Sequence, residues 1–116
     1  MLLSNNEEIS INDFSKLNLV LGTILEASKN VKAKKPAYIL KIDFGSYGIK
    51  MSSAQITKNY TLNNLIGMQI SAVVNFPVKR IAGVKSEVLV LGALSNENEV
   101  VLLTPTETVE DGSLVG

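Results

Sequence analysis

Apolar and polar residues alternate with a period of two in two short runs, which predicts half-buried strands rather than helices. In AYILKIDF (37–44), Tyr38, Leu40, Ile42 and Phe44 share one face, while Ala37, Ile39, Lys41 and Asp43 share the other. In QISAVVNF (69–76), Ile70, Ala72, Val74 and Phe76 line one side. LVLGTILEAS (19–28) is rich in aliphatic and β-branched residues, and Gly22 within it marks a bend or bulge. SEVLVLGA (86–93) is apolar after its first two residues, and EVVLL (99–103) is the last clear strand. GIKMSS (48–53) pairs with the 37–44 run as a hairpin across GSYG (45–48), where glycine supplies positive φ.

Helical signals are few. Ser10 and Asp13 have capping-box spacing, so a short helix through Phe14 to Leu17 is expected after a loose lead-in over residues 1–10. LNNLIG reads as one helical turn ended by Gly67. KNVKAKKP (29–36) and PVKRIAGVK (77–85) read as basic loops, the second entered by Pro77, which cannot extend a ladder. Five strands with a helical turn between the third and fourth give the element order of an all-β OB-fold barrel spanning 1–116, with residues 93–116 as a C-terminal extension. An SH3-like barrel or a small sandwich remains as an alternative.

Composition narrows the function. The 116 residues contain no cysteine and no histidine. Disulfides, Cys/His zinc sites, Cys–His nucleophile pairs and imidazole proton transfer are therefore absent. Without an activating base beside its serines, the chain is expected to be no enzyme and to carry no catalytic residue, metal or cofactor. No run approaches the roughly 18 apolar residues of a membrane span. MLLSNNEEIS lacks the basic and apolar regions of a signal peptide, so the protein is expected to be cytoplasmic.

The net charge of zero hides a strong segregation. Residues 1–15 hold Glu7, Glu8 and Asp13 and no base. All 11 Lys and Arg fall between positions 16 and 90, against Glu26, Asp43 and Glu87 alone. The last residues carry Glu97, Glu99, Glu107, Glu110 and Asp111. A basic body between acidic ends suits a polyanion or an acidic partner, unless the terminal acids fold back on it.

Three blocks carry a family resemblance: AKKPAYILKIDFG (33–45), GIKMSSAQITKNY (48–60) and VVNFPVKRIAGVKSEVLVLGA (73–93). From about Phe14 to the C-terminus the chain resembles the CsaA family of export-related chaperones. That family lies within the wider group of tRNA-binding domains found in dimeric tRNA-binding proteins and attached to some tRNA synthetases. The resemblance implies an OB-fold, a homodimer built with the C-terminal extension, and no catalysis. As partners it implies unfolded or pre-secretory polypeptides and the export motor ATPase, with tRNA as the alternative. Where tRNA-binding relatives typically carry His-Pro-x-Ala-Asp-Lys-Leu, this chain reads KNVKAKKPAYIL (29–40), the CsaA-like version.

Two sets of residues are candidates for a binding surface. Lys34, Lys35, Lys41, Lys50, Lys79, Arg80 and Lys85, with Lys29 and Lys32, would form a basic surface for phosphates or acidic peptides, or else are solvated surface lysines. Met51, Ser52, Ser53, Gln55, Asn75, Phe76 and Ile81, with Ile56 and Pro77, would rim a peptide pocket. Serine and glutamine can satisfy a peptide backbone in several registers. The competing reading of SSAQI is a strand end whose serines bond the main chain. Tyr38, Phe44 and Phe76 are expected in the core rather than as stacking platforms, and Glu87 is expected to pair with Arg80 or Lys85. The apolar tail either pairs with a two-fold mate or covers its own barrel.

Overall fold

A computed structural model describes residues 7–95 and 99–116. In chain order it contains α1 (Ile11–Ser15), β1 (Leu19–Lys29), β2 (Tyr38–Asp43), β3 (Ile49–Ala54), α2 (Leu62–Leu65), β4 (Gln69–Val73), β5 (Lys79–Ile81), β6 (Val84–Ser86), β7 (Leu89–Val90), β8 (Gly92–Leu94) and β9 (Val100–Leu102). The expected capping box starts α1. Ser10 Oγ accepts from the Asp13 N–H at 3.3 Å, and Asp13 Oδ2 accepts from the Ser10 N–H at 3.2 Å. The helix ends at Ser15 rather than Leu17, with none of its residues buried to support a further turn.

Five strands form one antiparallel sheet in the order β3-β2-β1-β4-β7. Its curvature comes from β1. Leu19–Thr23 pairs with β4, and Thr23–Lys29 pairs with β2, with a register shift between Ile24 and Glu26. The extra residue bends the strand and increases its twist, so the sheet rolls into an OB-fold barrel. The alternation in β2 is borne out: Tyr38, Leu40, Ile42 and Phe44 are buried. They pack with Val20, Ile24, Ile70, Ala72 and Leu65 of α2.

Gly22 is not the bulge. It is the place where the Phe44 ring crosses β1: an added Cβ would overlap the ring and lie 2.9 Å from the Asp43 carbonyl oxygen. The 77–85 segment is not a loop but the β5–β6 hairpin, with Arg80 opposite Lys85 and Ile81 opposite Val84. Ala82 (φ 48°) and Gly83 (φ 81°) form its turn, the pair of positive φ values that a right-twisted two-residue hairpin needs.

The apolar run 86–93 is divided among three partners. Ser86 closes the hairpin, Leu89 and Val90 join β4, and Gly92–Leu94 leaves the barrel to pair with β9. The resulting β8–β9 ribbon is tied back through Tyr60, whose hydroxyl accepts from the Leu102 N–H at 2.9 Å, and through Asn59 Nδ2, which donates to the Val100 carbonyl at 2.9 Å. Beyond it, the tail pairs with its own barrel. Gly112 N–H donates to Leu21 O at 2.7 Å, Leu21 N–H to Ser113 O at 3.0 Å, and Val115 N–H to Leu19 O at 2.8 Å. These bonds cover the half of β1 that β2 does not reach.

Gly22→Ala should force Phe44 from its place and destabilise the protein by about 1–3 kcal/mol. Urea unfolding measures this. An unchanged midpoint would show that β1 and the ring can separate without loss.

Candidate binding cleft and its basic rim

The barrel closes where β3 meets residues 86–88, and this seam differs from the rest of the wall. One main-chain hydrogen bond crosses it, from the Glu87 N–H to the Met51 carbonyl at 2.8 Å. The other contacts use side chains. Met51 N–H donates to Glu87 Oε1 at 3.1 Å, Ser53 N–H donates to Ser86 Oγ at 3.2 Å, and Ser52 Oγ donates to the Val88 carbonyl at 3.3 Å. Past Ser53 the strands diverge. A cleft of about 690 Å³ opens there between the end of β3, the β5–β6 hairpin and the β8–β9 ribbon.

Five of the proposed peptide-contact residues, Ser52, Ser53, Gln55, Phe76 and Ile81, line this cleft, together with Ile56 and Pro77. Ser52 lies at the floor, with its hydroxyl already held by Val88. Phe76 is not a core residue. It is 45% exposed, because β4 ends at Val73 and the chain turns away from the barrel before the ring. Met51 and Asn75 stand outside the cleft lining. Met51 spends its main chain on the seam, and Asn75 is a staple for the N-terminal segment. Its Oδ1 accepts from the Asn18 N–H at 2.8 Å, and its Nδ2 donates to the Lys16 carbonyl at 2.8 Å.

Sequence reasoning missed the opposite bank. Val88, Leu89, Val90, Leu94, Val100 and Leu102 line it. An uninterrupted apolar run gave no sign of which residues face the barrel interior and which face a cleft. The alternation within the ribbon does carry that sign once β8 and β9 are paired. Leu94 and Val100 are opposite each other on the cleft side, and Ala93 and Val101 are opposite each other on the other side.

The basic residues divide into groups. Lys79 shares the cleft face of β5 with Ile81. Arg80 and Lys85 sit directly opposite each other in the hairpin register, a like-charge pairing that disfavours the bare hairpin. Among the described residues no carboxylate lies within ion-pair distance of either. Gly83 at the hairpin tip approaches the Lys32 side chain: an added Cβ there would lie 3.5 Å from Lys32 Cδ. The β1–β2 loop that carries Lys32, Lys34 and Lys35 therefore adjoins the hairpin. Lys41 is instead paired with Glu26, Nζ to Oε2 at 3.2 Å. Lys50 lies four residues before Ala54 on β3, about 13 Å away along the strand. The expected ion pair of Glu87 with Arg80 or Lys85 is absent, because its carboxylate accepts from the Met51 N–H.

Among the described residues no group of three or more acidic side chains could hold a metal ion. No helix of the described residues is long and apolar enough to cross a membrane.

Comparison with known proteins agrees with this architecture. Residues 19–114 match the family described as "Putative tRNA binding domain". The structure of the chaperone CsaA from Bacillus anthracis str. Ames superposes with a TM-score of 0.90 at 49% identity, covering 95% of this chain and 100% of that one. The CsaA chaperone protein from Picrophilus torridus gives a TM-score of 0.87 at 52% identity, covering 94% of this chain and 100% of that one. The methionine–tRNA ligase of Porphyromonas gingivalis is 34% identical over 109 residues, which is 94% of this chain but only 16% of the ligase.

Asn75→Ala should free the segment around Lys16 and Asn18 and lower stability by about 1–3 kcal/mol, while leaving ligand affinity at the cleft unchanged. Chemical unfolding and a binding titration on the same variant check both halves. A loss of affinity at full stability would return Asn75 to the binding surface.

Proposed function

The chain belongs to the tRNA-binding-domain family and is CsaA-like within it, and from that premise we propose that it is a non-catalytic, homodimeric chaperone that holds unfolded or pre-secretory polypeptides in the cleft beside β3. One observation carries this reading: an open cleft whose walls are mostly aliphatic, with Phe76, serine and glutamine on one bank and a lysine at the rim. Its volume lies within the usual range for ligand clefts, roughly 300–1,000 Å³. Aliphatic walls accept many side chains by burial alone, without shape-specific polar contacts. Phe76, Ile81, Leu89 and Leu94 are all exposed around it, so occupied and empty states differ mainly in apolar area removed from water. The work of such a protein lies in the cytoplasm, ahead of translocation, where it would hand clients to the export motor ATPase.

The ribbon supports the dimer. An isolated two-stranded ribbon is marginal in water, and this one is apolar on both faces. The inner face lines the cleft. On the outer side Val101 and Leu103 are each 47% exposed. A second copy seated there in an isologous contact would bury them and set two clefts on one particle. Val101→Glu should yield a monomer in light scattering. A dimer that survives this change would place the two-fold contact elsewhere.

A second reading, binding of structured RNA, rests on the unneutralised Arg80–Lys85 pair beside the Lys32 loop. Backbone phosphates would offset that like-charge repulsion and make affinity salt-dependent.

Phe76→Ala combined with Ile81→Ala should weaken binding of a fluorescein-labelled unfolded polypeptide at least tenfold, about 1.4 kcal/mol. It should also abolish suppression of aggregation by a denatured test protein. Arg80→Glu should leave both nearly unchanged while reducing any tRNA retention and its salt slope. No measurable polypeptide binding by the unmodified protein, together with salt-dependent tRNA retention lost in Arg80→Glu, would favour the RNA reading.

A further inference from the structure

The polypeptide-binding reading leaves open how one cleft grips chains of differing sequence, and the main chain of β3 supplies an answer. Every residue of β3 lies opposite one of β2, but the N–H groups of Met51 and Ser53 turn to the seam, so by the alternation of an antiparallel ladder those of 50, 52 and 54 face β2. The edge of β3 is thus capped by a carboxylate at Met51 and a hydroxyl at Ser53, and then the capping stops. Gln55, the first residue past the strand, lines the cleft. Its N–H has no partner among the described residues. Among the described residues the donor nearest the Ser53 carbonyl is Ser52 Oγ at 3.5 Å, beyond good hydrogen-bond length, and that hydroxyl is already given to Val88.

Resting on that reading, we propose that the occupant of the cleft is an extended polypeptide segment that adds to the free half of β3 as a strand. Its main chain pairs with the Ser53 carbonyl and the Gln55 N–H, completing the wall that residues 86–88 leave open. An unpaired edge beside an apolar trough is the arrangement that strand addition requires, with backbone bonds giving affinity and alternate side chains entering the trough. Backbone pairing is indifferent to sequence, which suits a holder of many clients. Charge refines the preference. Lys79 is the basic group in the lining and Glu87 its acidic one, and Glu87 is already engaged by Met51. A client strand with an aspartate or glutamate flanking its apolar residues is therefore favoured.

The test uses the full chain and a fluorescein-labelled nonapeptide of alternating leucine and serine ending in aspartate. Two further versions carry N-methyl groups on the odd or on the even positions, which removes main-chain donors and leaves the side chains intact. In strand addition only one set of N–H groups faces β3. One methylated version should lose at least tenfold in affinity, and the other should stay within about twofold of the parent. Equal tolerance or equal loss in both versions would overturn strand addition while leaving the cleft as the client site. Failure of the unmodified peptide to bind would instead remove the polypeptide-binding reading on which the inference rests.

Discussion

A barrel abolishes sheet edges only where both edges of every strand find main-chain partners, and the edge of β3 away from β2 is only partly paired. One backbone bond joins it to residues 86–88, and the remaining N–H groups there are met by a serine hydroxyl and a glutamate carboxylate. Much else in the molecule follows from this incomplete closure. Because 86–88 approaches β3 without forming a full ladder, the chain on either side is free to project outward. The β5–β6 hairpin rises before the seam and the β8–β9 ribbon after it. The space between these two projections is the cleft.

The arrangement separates a closed, densely packed side from an open one. Phe44, packed over Gly22, and the wholly buried Ile24, Leu40, Ile42 and Ile70 fix the closed side of the barrel. The C-terminal tail reinforces that side by pairing with β1, and Asn75 fastens the N-terminal segment to the end of β4. The open side carries exposed apolar residues on short strands, whose anchors to the body are few and specific, such as Tyr60 and Asn59. Basic residues gather near the hairpin, where Lys79 faces the cleft and Arg80 faces away. One hairpin thus presents Ile81 and Lys79 to the cleft and the opposed Arg80 and Lys85 to the other side.

The closed side was legible in the sequence, and the open side only in part. Alternation in 37–44, the Ser10–Asp13 box and Gly67 after LNNL each identify an element, because a single local cause determines each. The hairpin at 79–86 was hidden because Ala82 occupies a positive-φ position that asparagine, aspartate or glycine normally takes. The division of 86–94 was hidden because all of its partners are apolar, so hydrophobicity does not distinguish a barrel strand from a ribbon. Phe76 continues the alternation of β4 in sequence but not in space, since pairing to β1 ends at Val73 opposite Leu19. In SSAQI, Ser52 bonds the main chain as a strand-end serine does, while Ser53 and Gln55 line the cleft.

If clients are held at the gap in the barrel wall rather than on the basic loops, their binding must bury main-chain amides at that gap. Hydrogen–deuterium exchange of the full chain, with and without a stoichiometric reduced and unfolded polypeptide, reads this out residue by residue. Client binding in the cleft should bring new protection at residues 53–55, 76–81 and 88–94, with little change at 29–36. Protection confined to residues 29–36 and the outer face of the hairpin, with the cleft exchanging as before, would contradict it.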